Sequence, residues 1–118
     1  MSKKYKYRNI ILTERNFKMA RNRNSNRNGS NFDEATIEAV WKKGIPEPGY
    51  AMYRKDRCGA SMQRDKYGKT EQWGWEIDHI KPVSKDGTDD LSNLQPLQWE
   101  NNRHKGDDYP NWSCLVKI

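Results

Sequence analysis

The sequence predicts a small α+β domain, with short strands and two helices, set behind a basic N-terminal arm. Three observations lead there. The chain has 118 residues, which suits one domain. Ile37, Val40 and Trp41 recur at i, i+3 and i+4, the period of a helix with one apolar face. Residues 73–105 then run from a strand pattern (WEIDHI) through a turn-rich loop to a second strand pattern and a helix (LQPLQWENNRHK).

The arm is residues 1–31. It carries nine Lys or Arg against one acidic residue, Glu14, a net of +8. Residues 32–118 carry thirteen basic against fifteen acidic residues, a net of −2. The arm ends in a polar run, Arg21 to Ser30, whose few apolar side chains cannot offset the entropy of ordering it. It is therefore expected to be disordered or loosely attached, and to meet a nucleic-acid backbone by charge. The remaining residues, 32–118, form the expected domain. Hydrophobic residues make up 33% of the chain, lean for a packed core, so Trp41, Trp73, Trp75, Trp99 and Trp112 are all expected inside it. No apolar run is long enough to cross a membrane. The basic start is followed by only three apolar residues, Ile10, Ile11 and Leu12, too few for a signal peptide. A cytoplasmic protein is expected, with Cys58 and Cys114 reduced in it; a Cys58–Cys114 disulfide is the alternative.

The elements follow in order. Ser30 is the expected N-cap of the first helix, with Asp33 and Glu34 favourable near its N-terminus. Gly44, Pro46 and Pro48 end that helix. Residues 50–54 and 60–64 are candidate extended segments around Cys58 and Gly59, and 65–68 is a turn. Arg54, Lys55, Arg57, Arg64 and Lys66 are candidates for phosphate contact. Trp73 to Ile80 alternates, with Trp73, Trp75 and Ile77 on one side and Gly74 and Glu76 on the other, as a half-buried strand does. Pro82 ends it. Residues 81–93 form a loop, with a tight turn at Lys85-Asp86-Gly87. Leu94 to Gln98 is a second strand, which Pro96 confines to an edge or irregular position. The last helix begins at Trp99 and runs to Lys105.

The chemistry concentrates in residues 73–107. Asp78 and His79 are adjacent, Asn93 follows, and Asn102 lies nine residues further on. The spacing, the LSNLQPL turn and the closing Asn102-Arg103-His104-Lys105-Gly106-Asp107 resemble the HNH endonuclease family. The resemblance is strong over 73–107, weaker over 32–72 and absent before that. It implies a ββα-metal nuclease core. Asp78 is a hard oxygen ligand suited to magnesium. Asn102 matches the family position that supplies the second ligand. His104 is the competing residue, but it lies about 200° around the helix from Asn102. His79, whose imidazole type titrates near neutrality, is the expected general base. Asn93 is expected to hold its ring. Arg103 and Lys105 are candidates for stabilising charge on the substrate phosphate.

The resemblance further implies one divalent metal ion, Mg2+ with Mn2+ or Ni2+ able to substitute. It implies hydrolysis of double-stranded DNA through backbone contacts, leaving 5′-phosphate and 3′-hydroxyl ends. Many relatives hold a structural zinc on two Cys-x-x-Cys pairs. Here those positions are Cys58, Ser61, Gln98 and Asn101, of which one is a thiol, so no structural zinc is expected. Two other classes are compatible with the residues: a silent nucleic-acid-binding module, and a toxin-type nuclease domain with an immunity protein as partner.

The arm is expected to supply affinity and not chemistry. Affinity for DNA should fall steeply with salt, and deleting residues 1–31 should flatten the slope of log affinity against log salt. The cleavage rate at saturating DNA is expected to stay within about tenfold after the deletion, because the ligands and the base lie outside it. An unchanged salt slope would show that the arm does not touch the backbone.

Overall fold

A computed structural model of the chain describes residues 24–118. The greater part of the arm, 1–23, lies outside the described residues.

Helix α1 spans Glu34–Trp41. Its N-cap is Asp33, whose carboxylate accepts from the Thr36 backbone N–H at 2.8 Å. The cap expected at Ser30 is thus corrected: Ser30 instead closes a turn, its N–H donating to Asn26 Oδ1 at 2.9 Å. Ile37, Val40 and Trp41 form the buried face of α1. A three-stranded antiparallel sheet follows, made of β1 (Ile45–Pro46), β2 (Tyr53–Lys55) and β3 (Ser61–Gln63) in that order. It is shorter than the two extended segments expected, and β1 was not foreseen.

The second sheet pairs β4 (Trp75–His79) with β5 (Leu94–Gln98), antiparallel, from Trp75 opposite Gln98 to His79 opposite Leu94. Helix α2 (Trp99–Lys105) follows β5 without a linker. Gln98 makes this junction possible. Its side-chain oxygen caps α2 by accepting from the N–H groups of Glu100 and Asn101, both at 3.0 Å. The order β4, loop, β5, α2 is the ββα arrangement that the resemblance implies.

Strand β4 is buried at every position, not half-buried. One face joins the core of Phe32, Ile37, Val40, Trp41, Met62, Trp75, Ile77 and Leu94. The other carries Glu76 and Asp78 under α2. Alternation in the sequence predicted a solvated second face because it could not show that a helix covers the polar side chains. The tryptophans also divide differently from expectation. Trp41 and Trp75 are in the core, Trp99 and Trp112 are half-buried, and Trp73 is exposed. Trp73 lies outside β4, in the left-handed region at φ 65°, with its ring edge-on to Tyr53 at 5.4 Å.

Cys58 and Cys114 form a disulfide, with Cα atoms 5.8 Å apart. The expectation of two free thiols is corrected. It rested on a presumed compartment, and the alternative pairing is the one present: the C-terminal tail packs back, with Trp112 under the Arg57 guanidinium. The tail is held there by Asn101, which is fully buried. Asn101 Oδ1 accepts from Leu115 N at 2.8 Å and Val116 N at 2.7 Å, and its Nδ2 donates to Val116 O and to Asp56 Oδ2. Asp56 also accepts from the N–H groups of Cys58, Ala60 and Gln98. Of the four positions matched to a zinc site, Cys58 is in the disulfide, Gln98 and Asn101 are in this network, and Ser61 donates to Glu47 Oε2 at 3.0 Å.

Opening the Cys58–Cys114 bond, which closes a separation of 56 residues, should cost about 4 kcal/mol of stability by loop-closure entropy. Urea unfolding of the oxidised protein and of Cys58→Ser/Cys114→Ser checks this. Equal midpoints and slopes would refute it.

Candidate active site

The site forms where β4 ends against α2. Asp78, His79 and Asn102 line one cavity of about 50 Å³, together with Asn24, Ile77, Pro82, Gly106 and Asp107. Asp78 and His79 come from consecutive positions of β4, and the strand-to-helix junction at Gln98 brings Asn102 of α2 across from them.

Asp78 is buried. Gln95 Nε2 donates to its Oδ2 at 2.9 Å, and Lys105 Nζ lies 3.1 Å from its Oδ1. Burial is the largest influence on this carboxyl and pushes it above the ordinary range, against the opposing effects of Gln95, Lys105 and His79. An anion whose charge is costly in this way gains from a second cation beside it.

Lys105 is not the substrate contact that the sequence suggested. It is 1% exposed, and its ammonium also donates to the His79 carbonyl at 3.1 Å. Its place one helical turn beyond Asn102 turns it under β4, where it holds the ends of two site residues. Arg103 is partly exposed. It pairs with Glu76 Oε2 at 3.1 Å and its guanidinium lies over the Trp99 ring. The basic residues proposed earlier for phosphate contact are mostly engaged elsewhere. Arg54 donates to the Gly44 carbonyl, Arg64 pairs with Glu38 and Glu34, Lys66 pairs with Glu71, and Arg57 lies over Trp112.

His79 Nε2 lies 2.8 Å from Asp89 Oδ1. An ionised carboxylate only accepts, so this contact places the proton on Nε2 and leaves Nδ1 as the basic nitrogen. The Phe32 ring packs beside the imidazole, with centroids 5.9 Å apart. Asn93 does not touch the imidazole, which corrects its expected role. Its Oδ1 accepts from Lys81 N at 2.9 Å, and its Nδ2 donates to the carbonyls of Lys81 and Thr88. Asn93 thus ties the two ends of the loop, and its carbonyl accepts from Ile80 N at 2.8 Å, next to His79 in the chain. Gly87 serves the same closure: a Cβ there would lie 1.7 Å from the Lys81 carbonyl oxygen.

Asn102 is buried, and its Nδ2 donates to Glu76 Oε1 at 2.7 Å. With the amide nitrogen so held, Oδ1 is the end left for a ligand, and no partner for it is seen among the described residues. Glu76 is a site residue that sequence reasoning missed. The signal was available, because a glutamate alternating onto the same side as Asp78 must face whatever Asp78 faces. His104 is exposed and meets Ser113 Oγ at 3.4 Å, away from the cavity.

The end of the arm also belongs to the site. Asn24, in the left-handed region at φ 58°, accepts through Oδ1 from Ile77 N at 2.7 Å and from the Tyr67 hydroxyl at 3.0 Å. Burial pushes the Tyr67 hydroxyl up to about 12, so it stays a donor at neutral pH. Arg27 N donates to both oxygens of Asp89, at 3.0 and 3.1 Å. Residues 24–30 are therefore not a loose tail. The expectation that deleting 1–31 spares the rate does not carry over, because that cut removes Asn24 and Arg27.

The donor set fits a hard divalent cation. Asp78 and Asn102 present oxygens on one cavity, which leaves room for water and phosphate oxygens, as magnesium prefers. Among the described residues there is no cluster of three or more His, Cys, Asp or Glu side chains that would make a self-sufficient metal cage.

The order of β4, loop, β5 and α2 is compatible with an HNH ββα core. The sequence model of the HNH endonuclease family matches residues 57–108. Over those residues the chain is similar to the HNH endonuclease family. No curated protein and no solved structure gave a match. Among the described residues no helix is long and apolar enough to cross a membrane.

Asp78→Asn and Asn102→Ala should each weaken Mn2+ binding by about tenfold or more, the scale on which metal sites respond to loss of their supporting groups. His104→Ala should leave it near the wild-type value. Calorimetric titration of the three variants checks this. Loss of binding in His104→Ala with normal binding in Asn102→Ala would reverse the assignment of the helix ligand.

Proposed function

We propose that the protein hydrolyses DNA phosphodiester bonds with His79 as general base and a divalent metal ion held by Asp78 and Asn102. The observation that carries this reading is the meeting of Asp78, His79 and Asn102 on one cavity, with the imidazole of His79 held by Asp89 at 2.8 Å.

The chain's own residues act as follows. Asp89 holds the His79 proton on Nε2, so Nδ1 takes the proton from the attacking water. The imidazolium that results is stabilised by the same carboxylate. Glu76 fixes the Asn102 amide by its nitrogen, turning the oxygen towards the cavity. Lys105 and Gln95 fix the Asp78 carboxylate, so both ligand oxygens are preorganised by groups behind them. Arg103, partly exposed beside Asn102, is the cation placed to meet a substrate phosphate. When bound, the ion supplies electrostatic stabilisation of the phosphorane and of the leaving 3′ oxygen. Magnesium is the proposed physiological ion, and the products carry 5′-phosphate and 3′-hydroxyl ends. The substrate is double-stranded DNA, met through its backbone by the basic arm.

Supercoiled plasmid incubated with the protein and Mg2+ or Mn2+ should be cut, and excess chelator should stop it. His79→Ala should slow cleavage by about 10²–10⁴-fold, the usual worth of a general base, with little change in DNA affinity. Full activity in chelator, or equal rates for wild type and His79→Ala, would sink the proposal. Retained DNA affinity without any cleavage would favour the silent binding module.

A further inference from the structure

We infer that the Asn24–Ser30 segment is part of the reaction machinery, and that Arg27 is a positioning residue that holds the Asp89 carboxylate on His79. The inference rests on the nuclease reading of the site and deepens it.

Asp89 sits on the 81–93 loop, and its side chain is 39% exposed. A carboxylate so exposed has water as an alternative partner, and one contact to an imidazole does not fix its rotamer. Arg27 supplies the missing constraint. Its backbone N–H donates to both carboxylate oxygens, at 3.0 and 3.1 Å. Its guanidinium donates to the Gly87 carbonyl at 2.8 Å and to Asp86 Oδ1 at 3.1 Å. Arg27 therefore grips the loop just before Asp89 and holds Asp89 itself with its backbone.

The segment carrying Arg27 is in turn anchored at both ends. Asn24 is bonded to β4 at Ile77, two residues before His79. On the other side, Asn26 closes a turn over residues 26–30 by accepting through Oδ1 from the N–H groups of Asn28 and Ser30, both at 2.9 Å. The chain then reaches Phe32, whose ring packs beside His79. Among the described residues, every hydrogen bond of Arg27 ends on residues 86–89, and none on the apolar core. That distribution is what a group positioning the loop requires. It also joins the basic arm directly to the partner of the general base.

The test uses full-length Arg27→Ala, Arg27→Lys, Asp89→Ala and Arg27→Ala/Asp89→Ala. Single-turnover cleavage of a DNA duplex is measured at saturating protein with Mn2+, and DNA affinity is measured separately in chelator. Arg27→Ala should lower the saturated rate by about tenfold through misplacement of the base, with affinity changed by less than about threefold. Arg27→Lys keeps a cation for Asp86 but loses the fork that also reaches Gly87, so it should fall between. The double variant should be no slower than Asp89→Ala, because Arg27 acts through Asp89. A normal saturated rate with weaker, less salt-dependent binding would overturn the inference and make Arg27 a phosphate contact only. Additive losses in the double variant would overturn it as well. A second readout needs neither metal nor activity. The imidazole nitrogen signals of His79 should show the Nε2–H tautomer in the wild type, lose it in Asp89→Ala and show it weakened in Arg27→Ala. If wild type cuts no DNA, the nuclease reading fails, and this spectrum still decides whether Arg27 positions Asp89 on the ring. Identical His79 signals in wild type and Arg27→Ala would then refute it.

Discussion

A buried lysine holds the two halves of the site together. Lys105 reaches from α2 beneath β4, where its ammonium meets the Asp78 carboxylate and the His79 carbonyl. Removing either charge would leave the other buried without a partner, which costs several kcal/mol. The register of α2 on the sheet is therefore strongly specified. That register in turn brings Asn102, three residues earlier on the helix, to the cavity, and it sets Glu76 against the Asn102 amide. The polar face of β4 is thus a chain of paired groups from Arg103 through Glu76 and Asn102, and from Lys105 through Asp78 to Gln95. Such networks are stabilising only when complete, so the same bonds that place the ligands also resist small errors in placing them.

Behind this face the fold meets the problem of a lean core. Among the described residues the apolar cluster has eight members, with the Trp41 and Trp75 rings tilted against each other at 5.1 Å. Where relatives add a metal-bound staple, this chain places Asp56 at the centre of backbone and side-chain donors from Cys58, Ala60, Gln98 and Asn101. One carboxylate so provided for, and one asparagine holding the C-terminal tail, join β3, the start of α2 and residues 114–116.

The core motif was legible in the sequence because it is local. Leu94–Gln98 and Trp99–Lys105 follow from strand and helix patterns over adjacent residues, and Asp78, His79 and Asn102 follow from spacing. What was not legible depends on segments distant in the chain. For Glu76, alternation gave the side it shares with Asp78 but not the helix that covers that side. Lys105 looked like a surface cation for the same reason. Asn93 was assigned to the imidazole, but the loop it closes delivers Asp89 in its place. Asn24 and Arg27 were read as part of a polar tail because composition registers a lack of apolar side chains and not the hydrogen bonds that a short polar segment can make to a loop some sixty residues away. The redox state of Cys58 and Cys114 was not legible either: two cysteines have only each other to pair with, but their spacing does not tell whether they do.

That disulfide has a topological consequence. Cys58 and Cys114 enclose β4, the loop, β5 and α2, and with them Asp78, His79, Asp89 and Asn102. The residues that line the candidate site from β4 and α2 are carried within a covalent ring. A single backbone break anywhere between the two cysteines, the exposed loop included, leaves one linked molecule in which both sides of the break remain neighbours. Only a break together with reduction separates them. The segment bearing Asn24 and Arg27 lies outside the ring, on the one free strand that enters the site, and a cut before Phe32 releases it.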